Sequence, residues 1–268
     1  MSVFDAVLII AATLGFAIVA CEVSRAVNAR RSVVRYPEIT SERPTDLNFG
    51  FAIILGFVLV AALGNFQDAR EAATTEARAL TTMSRSSLGL PAPLRDDLSH
   101  QLVCYGRDVV AYDWPAMREG ESSGSTYVSA TADRISQTLA RAAGTRVVQD
   151  AVMASLIDGS SALSESRAQR VSTAQRLPAL FWLMIIVGTG LVVSLSAILM
   201  AQEYRYLQYL VTGGSALIIA FTIVLIGALD RPYSNQSPLP LVEPIAMRES
   251  VASAIAFAPD PAVDRPCP

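Results

Sequence analysis

The chain has 268 residues, of which 52% are hydrophobic and 17% charged, and its formal net charge is −3. Together with a positive mean hydropathy, this composition indicates an integral membrane protein with a modest polar part. The basic residues are arginines and one histidine, and they form no basic run, which excludes a nucleic-acid-binding protein.

The first apolar segment, from Ala6 to Cys21, predicts a membrane span at about residues 4–21. Its end, from Ile18 to Cys21, has the form of a lipoprotein cleavage site. A signal peptide begins with a positively charged region, however, and the only charge ahead of this segment is that of Asp5. We therefore favour a first membrane span that ends at Cys21 over a cleaved lipoprotein signal.

The connector between the first two predicted spans is rich in arginine, whereas no basic residue precedes it. Arginines in short loops mark the cytoplasmic side of a membrane, and acidic residues contribute little to this rule. The rule places the connector in the cytoplasm, and it places the N-terminus and the segment after the second span outside. The arginines of the connector are Arg25, Arg30, Arg31, Arg35 and Arg43.

The second predicted span, residues 49–66, is followed by an amphipathic segment, and no helix breaker separates the two. Its eighteen residues carry no charge and reach about 27 Å, close to the thickness of the hydrocarbon core of a bilayer. From Gln67 onward the helical spacing continues, but charged residues such as Glu76 now alternate with apolar residues such as Leu80. We predict one long helix that spans the membrane and continues into an extramembrane bundle.

Residues 67–176 are too many for a structureless loop, and they predict a bundle of four antiparallel helices. Apolar residues recur at spacings of three and four, which is typical of helices that bury one face. The fourth helix is predicted to begin near Thr145 and run toward Leu177, with Gly159 as a potential interruption. The breakers that separate the helices are Ser86 to Gly89, Asp113-Trp114-Pro115, Gly120 to Gly124, and Gly144.

Two further spans are predicted at about residues 177–201 and 207–229, and the short link between them requires a hairpin. None of the four predicted spans carries Lys, Arg or His in its interior, which argues against an ion-coupled transporter. A short helix is predicted in the tail between Leu239 and Phe257. The sequence thus predicts an all-α integral membrane protein in which two transmembrane hairpins flank an extramembrane helical bundle. The expected domains are residues 1–66, 67–176, 177–231 and the tail 232–268.

The sequence contains no phosphate-binding loop, nucleophile elbow or metal-binding histidine motif, so we expect neither an enzyme nor a cofactor or metal site. Cys104 and Cys267 would pair only if both faced an oxidising compartment, and two free thiols are the favoured expectation. Arg167 and Arg170 lie three residues apart near a predicted span and are candidates for binding an anion or a lipid headgroup. The alternative is that they are interfacial residues that anchor the span.

Several short motifs follow one another within the order of two spans, a helical insert and two more spans. They are Glu71-Ala72, Tyr105, Val109, Trp114-Pro115-Ala116-Met117, Gly120, Arg167, Arg170, Leu177-Pro178, Trp182, Asp230 and Pro232. Together they resemble the bestrophin-like family of bacterial membrane proteins, and the resemblance covers roughly residues 47–250.

The resemblance implies the function of the bestrophins, which are pentameric anion channels whose second span lines the pore. Carried over to this chain, it makes Phe49, Ile53, Phe57 and Val60 the pore-lining candidates, and an apolar constriction of this kind gates by dewetting. The same stripe is core or lipid-facing in most helices. Bestrophins also keep both termini and the helical domain in the cytoplasm, which is opposite to the side that the connector arginines favour.

We therefore expect a multi-pass protein of the bacterial inner membrane that forms a homo-oligomer in the lipid bilayer and conducts anions. Arginines near the membrane ends of the bundle weaken the charge rule, so the external side is favoured only slightly for the bundle. The alternative function is a non-catalytic accessory subunit of a larger membrane complex, with the bundle docked on a partner. A closed ring of identical subunits would support the channel, and a single copy beside other chains would support the accessory role.

Overall fold

The structure, a computed structural model, describes residues 3–31, 45–121, 123–144, 148–175, 177–199, 205–234, 242–258 and 266–267. These residues form helices and short connections, and none of them lies in a β-strand. The helices are α1 (Val3–Arg31), α2 (Thr45–Ser86), α3 (Ala92–Asp108), α4 (Trp114–Glu119), α5 (Thr126–Ala143), α6 (Asp150–Ser172), α7 (Ala179–Leu199), α8 (Arg205–Leu229) and α9 (Ile245–Phe257).

The chain divides into two compact units. The first unit contains the described residues of Met1–Gly64 and Leu177–Asp230, and the second contains those of Asn65–Arg176, Arg231–Asn235 and Pro240–Pro268. Helix α2 is continuous over 42 residues and contributes its first part to the first unit and the remainder to the second. The prediction of one long helix is confirmed, and no proline interrupts α2 between Thr45 and Ser86.

Among the described residues, four helices are long and apolar enough to cross a membrane, as predicted. Helix α1 extends beyond the predicted end of the first span to Arg31, because the ten residues after Cys21 contain no helix breaker. Residues 32–44 of the connector lie outside the described residues. The apolar segments are Val3–Val27, Phe49–Gly89, Ala179–Ile198 and Arg205–Leu229.

The first unit is held together by close contacts among the apolar helices. Helix α1 packs against α7 and α8, which also pack against each other. A Cβ on Gly188 would lie 2.5 Å from Cε2 of the Phe51 ring, so α2 approaches α7 closely at this glycine. Near the C-terminal end of α7, Ser24 and Gln208 both donate to the Ala197 carbonyl, at 3.0 and 2.9 Å, and thereby join α1 and α8 to α7.

The second unit is a helical bundle around one hydrophobic core. Helix α3 packs against α5 and α9, and α5 packs against α6, while α2 contributes an apolar stripe to the same core. Burying these stripes supplies most of the stability of such a bundle, since helices of this length are marginal alone. The largest core side chains are Leu80, Met83, Leu98, Leu102, Tyr105, Trp114, Ile135, Leu156 and Met247.

The second bundle helix does not end at Asp113-Trp114-Pro115, so this prediction was wrong. The chain stays helical through a wide π turn at Val109–Asp113 and continues as α4. Pro115 lies in the first turn of α4, where its missing N–H is not required. The helix ends at Gly120, whose φ of 88° places it in the left-handed region that favours glycine.

The fourth bundle helix is described from Asp150 onward, while the predicted start at Thr145 lies outside the described residues, and Gly159 does not interrupt the helix. A Cβ on Gly159 would lie 2.5 Å from Cγ of Met83, so the glycine allows α2 and α6 to approach each other. The sequence predicts a potential interruption at Gly159 because glycine disfavours helices. In the bundle, the contact between α6 and Met83 on α2 requires a residue as small as glycine.

A disulfide joins Cys104 on α3 to Cys267 in the tail, with their Cα atoms 5.4 Å apart, so the expectation of two free thiols was wrong. The two cysteines are 163 residues apart in sequence, and they meet because α9 folds back onto α3. At this contact a Cβ on Gly106 would lie 2.3 Å from Cγ2 of Val251. The predicted tail helix is confirmed as α9, and it belongs to the bundle.

Candidate functional site

A fully buried ion pair joins α2 to α6 in the second unit. Arg170 and Glu76 are both 0% exposed, and Arg170 donates from Nε to Glu76 Oε2 and from Nη2 to Oε1, the latter at 3.0 Å. The Tyr105 hydroxyl on α3 donates to the same Oε1 atom at 2.7 Å. A buried charge is tolerated only when it is paired and hydrogen-bonded, and this arrangement meets both conditions.

A second carboxylate, that of Asp113, lies at the end of the π turn between α3 and α4 and contacts two arginines. Its Oδ2 atom accepts hydrogen bonds from Arg170 Nη2 and from Arg167 Nε, each at 3.0 Å. Its Oδ1 atom accepts the backbone N–H of Ser125, the residue before α5, at 2.7 Å. Asp113 therefore joins α6 and the start of α5 to the turn. The set Glu76, Asp113, Arg167 and Arg170 is called the charge network below.

Trp114 covers the charge network on the side of the tail. The Arg170 guanidinium lies 4.9 Å from the centre of the Trp114 ring, which also packs edge-on against Tyr233 at 5.9 Å. The indole N–H donates to the Val242 carbonyl at 3.4 Å, and the hydroxyls of Tyr233 and Thr173 are 3.1 Å apart. These rings exclude water from the network and so strengthen its electrostatic interactions.

The pKa values of Arg170 and Asp113, and of two tyrosines beside the network, shift away from neutrality. Burial lowers the pKa of Arg170, but the adjacent Glu76 carboxylate outweighs this effect and leaves it above its ordinary value. Burial raises the pKa of Asp113, but hydrogen bonds from Arg167 and the charge of Arg170 leave it below its usual range. Burial and the charge of Glu76 raise the pKa of Tyr105 well above 10, and burial raises that of Tyr233 to about 12.

The charge network is suited to positioning helices and unsuited to acid–base chemistry. Its two arginines balance its two carboxylates, so its formal charge is zero. None of the shifted groups is poised to exchange a proton near pH 7, as a general acid or base requires. Because the four side chains come from α2, the π turn and α6, the network specifies how these elements register against one another.

The structure places the two arginines predicted to bind an anion or a headgroup side by side on α6, in different surroundings. All the contacts of Arg170 are internal, including one from Nη1 to the Met117 sulfur at 3.3 Å. Arg167 is 16% exposed and also donates to Ser129 Oγ from Nη1, at 3.1 Å. Anion or headgroup binding stays a prediction, and Arg167 is the arginine that reaches the surface.

Sequence reasoning missed the acidic half of the network. Glu76 carried a signal, because it falls in the same helical stripe as Ala69, Ala73, Leu80 and Met83, which are all buried. A carboxylate on the buried face of an amphipathic helix predicts a cationic partner. Asp113 carried no comparable signal, since an aspartate before Trp-Pro is a common helix boundary.

The four pore-lining candidates form an apolar stripe on α2, in the first unit. Phe49, Ile53, Phe57 and Val60 are 67%, 43%, 72% and 67% exposed. Successive residues of a helix are rotated by about 100° around its axis, so these four side chains fall within an arc of about 80° around α2. The side chains that α2 turns toward its own unit, which include the buried Leu55 and Ala62, project from the opposite side of the helix. The described residues of this chain therefore leave the stripe uncovered.

Within the described ranges, no group of three or more His, Cys, Asp or Glu residues is arranged to hold a metal ion. Tyr105, Trp114, Met117, Arg167 and Arg170 came from the family resemblance as separate motifs, and the structure brings them into one cluster. Asp230 belongs to the first unit, where its Oδ1 atom accepts the N–H of Leu177 at 2.9 Å.

Comparisons with known proteins agree with this architecture. A protein-family model described as "Bestrophin-like domain" matches residues 10–237. The chain is similar in fold to a bacterial bestrophin homologue from Klebsiella pneumoniae, with 12% identity, a TM-score of 0.71, and 94% of this chain and 97% of that chain covered. A variant of that homologue gives 13% identity, a TM-score of 0.71, and coverage of 94% and 98%. Comparison with curated proteins gave no match.

Proposed function

The chain belongs to the bestrophin-like family, and from this premise we propose that it forms a homo-oligomeric anion channel in the bacterial inner membrane. The observation that carries the proposal is the uncovered apolar stripe of Phe49, Ile53, Phe57 and Val60 on α2. In a ring of identical subunits, α2 from each subunit lines the axis and the stripe forms a dewetting constriction. The stripe carries no charge, so selectivity for anions rests on the family.

A homo-oligomer accounts for an apolar surface that the chain itself does not cover. Ring formation turns each stripe toward its symmetry copies around the pore axis, whereas in a monomer the same side chains face lipid. The first experiment is to measure the particle mass in detergent by light scattering or native mass spectrometry. A homo-pentamer supports the proposal, and co-purification in fixed ratio with unrelated chains would refute it in favour of an accessory subunit.

Conduction is then measured as chloride flux into liposomes that contain the purified oligomer. We expect Phe57→Ala to increase the flux, because a shorter apolar side chain widens the constriction. The matched control is Ile54→Ala, since Ile54 is 59% exposed on α2 but lies about 60° beyond the arc of the stripe. Equal flux for Phe57→Ala, Ile54→Ala and the unsubstituted protein would contradict pore lining by the stripe.

A charged substitution separates a pore position from a lipid-facing position more sharply. Phe57→Arg places a guanidinium on the axis of every subunit, and we expect it to abolish either conductance or assembly. If Phe57 faces lipid, insertion suffers because a charge in the bilayer core is costly, and the channels that do insert keep their conductance. The reversal potential measured across a bilayer in a sodium chloride gradient tests ion selectivity. A reversal potential close to that of sodium, and not to that of chloride, would refute the anion channel.

We propose that the bundle lies on the external side of the membrane. Two independent features support this orientation: the arginine-rich connector favours the cytoplasm, and the Cys104–Cys267 disulfide requires an oxidising compartment. This differs from the cytoplasmic placement that the resemblance implied. A C-terminal alkaline phosphatase fusion should be active and a C-terminal green fluorescent protein fusion dark. The opposite pair of results would place the bundle in the cytoplasm.

A further inference from the structure

The second unit contains a half-open polar cavity of about 500 Å³ between α5 and α6, on the surface side of the charge network. Cavities of about 300–1,000 Å³ are typical of small-molecule sites. The wall combines one guanidinium, one carboxylate and several hydroxyls with a short apolar strip. The residues that the argument uses are Ser129, Asp133, Ser164, Arg167 and Ser172.

The hydroxyls of this wall present acceptors to the cavity. Ser129, Ser164 and Ser172 each donate their proton to a backbone carbonyl three or four residues earlier in the chain, at 3.1, 3.0 and 2.8 Å. A hydroxyl whose proton is used in this way has lone pairs left to accept from a ligand. The wall therefore favours a ligand that brings its own N–H or O–H donors.

The two charged groups of the wall, Arg167 and Asp133, differ in how many hydrogen-bond and ion-pair partners they already have within the protein. Arg167 donates to Asp113, Ser125 and Ser129, which leaves one N–H on Nη1 for a ligand. Asp133 is exposed and has no ion-pair partner among the residues that the structure describes. The carboxylate is therefore the stronger attractor, and the guanidinium adds one donor for an anionic oxygen.

The spacing of the two charges defines the ligand. Ser129 Oγ lies 3.1 Å from Arg167 Nη1, and Asp133 follows Ser129 by four residues of α5, about 6 Å along the helix axis. A cation and an anion a few bonds apart can bridge this distance. We propose that the cavity binds a small zwitterion, with its ammonium on Asp133 and its anionic group on the free N–H of Arg167.

This chemistry occurs both in free amino acids and in ethanolamine phospholipid headgroups. The test uses calorimetric titration of the purified protein in detergent with L-alanine and O-phosphoethanolamine. Acetate and methylammonium, which each carry one of the two charges, serve as comparison ligands. We expect at least one zwitterion to bind about tenfold or more tightly than either singly charged ion, a difference of about 1.4 kcal/mol. Methylammonium or acetate binding as tightly as both zwitterions would overturn the proposal.

The decisive variant is Asp133→Asn, which keeps size and polarity at an exposed position and should leave the melting temperature unchanged. We expect it to weaken zwitterion binding at least about tenfold and to leave acetate binding as it was. Asp158→Asn is the matched control, because Asp158 is an exposed acid on α6 that does not line the cavity. Equal effects of the two substitutions would overturn the proposal.

Native mass spectrometry of protein purified from membranes distinguishes the two sources. Co-purified phosphatidylethanolamine that is lost in Asp133→Asn supports the proposal with a lipid ligand. Zwitterion binding in the titration without retained lipid supports it with a soluble ligand. Lipid retained equally by the protein and by Asp133→Asn would contradict a lipid in this cavity.

Discussion

Removing the central cation of the charge network should destabilise the protein strongly. Arg170→Met preserves much of the side-chain volume but leaves Glu76 and Asp113 facing each other without the guanidinium between them. Arg170 is fully buried and makes three hydrogen bonds to these two carboxylates. Breaking a buried ion pair by removing one partner costs about 3–5 kcal/mol, because the remaining charge stays desolvated.

The assay is thermal unfolding in detergent, followed by circular dichroism. A loss of this size lowers the apparent melting temperature by on the order of 10 °C. Arg141→Met is the control, since its side chain is 59% exposed and 3.9 Å from Asp97, and we expect a change below about 0.5 kcal/mol. A shift for Arg170→Met no larger than that of the control would refute the reasoning.

A double variant separates the lost pairing from lost packing. In Glu76→Gln combined with Arg170→Met, the carboxylate that loses its cationic partner becomes a neutral amide that still accepts from Tyr105, while Asp113 keeps Arg167. If the penalty comes from an uncompensated charge, the double variant should be more stable than Arg170→Met alone. If the penalty comes from packing around the methionine, the second substitution should lower stability further.

Three further substitutions test the bundle by the same melting assay. Cys104→Ser opens the bond to Cys267 and should cost about 2–5 kcal/mol, because a constraint across 163 residues is lost. Gly106→Ala should cost about 1–3 kcal/mol, because the new Cβ would clash with the branched side chain of Val251. Burial raises the pKa of Asp108 in the folded protein, so the charged form of this side chain destabilises the fold at a pH above that pKa. Asp108→Asn removes the charge. It should therefore stabilise the protein near pH 7 and not near pH 4.

Each of these substitutions has its own control. A reducing agent should lower the melting temperature of the unsubstituted protein and leave Cys104→Ser unaffected; an effect on both would point away from the disulfide. Gly144→Ala should be nearly neutral, because the new Cβ meets only ordinary contacts at 3.5 Å or more. An Asp108→Asn effect that persists near pH 4 would show that the amide changes packing around Thr131, which donates to Asp108 at 2.9 Å.

The membrane helices were predictable because hydropathy is a local property. Runs without charge reveal spans whatever the rest of the chain does, and the spacing of apolar residues reveals amphipathic helices in the same way. The helix end predicted at a proline was the exception to this local predictability. The signal at Pro115 predicts an end to the helix, but a π turn ahead of it shifts the register so that Pro115 falls in a first turn.

The candidate sites were predictable only in part, because they depend on which faces meet. The period of α2 placed Phe49, Ile53, Phe57 and Val60 on one face, but only packing decides that this face stays uncovered while Leu55 is buried. The arginine pair on α6 was visible as a motif. Its partner Glu76 lies 94 residues away, and no local pattern connects the two.

The sequence by itself determined that this protein crosses the membrane four times, that α2 runs unbroken, and that an arginine-rich connector separates the first two spans. These properties follow from the composition and period of segments about twenty residues long. Only the tertiary structure decided that Arg170 is neutralised inside the chain, that Cys104 meets Cys267, and that an acceptor-rich cavity opens beside Arg167. Charge pairing, disulfides and cavities depend on distances between remote side chains, and only the packed chain defines those distances.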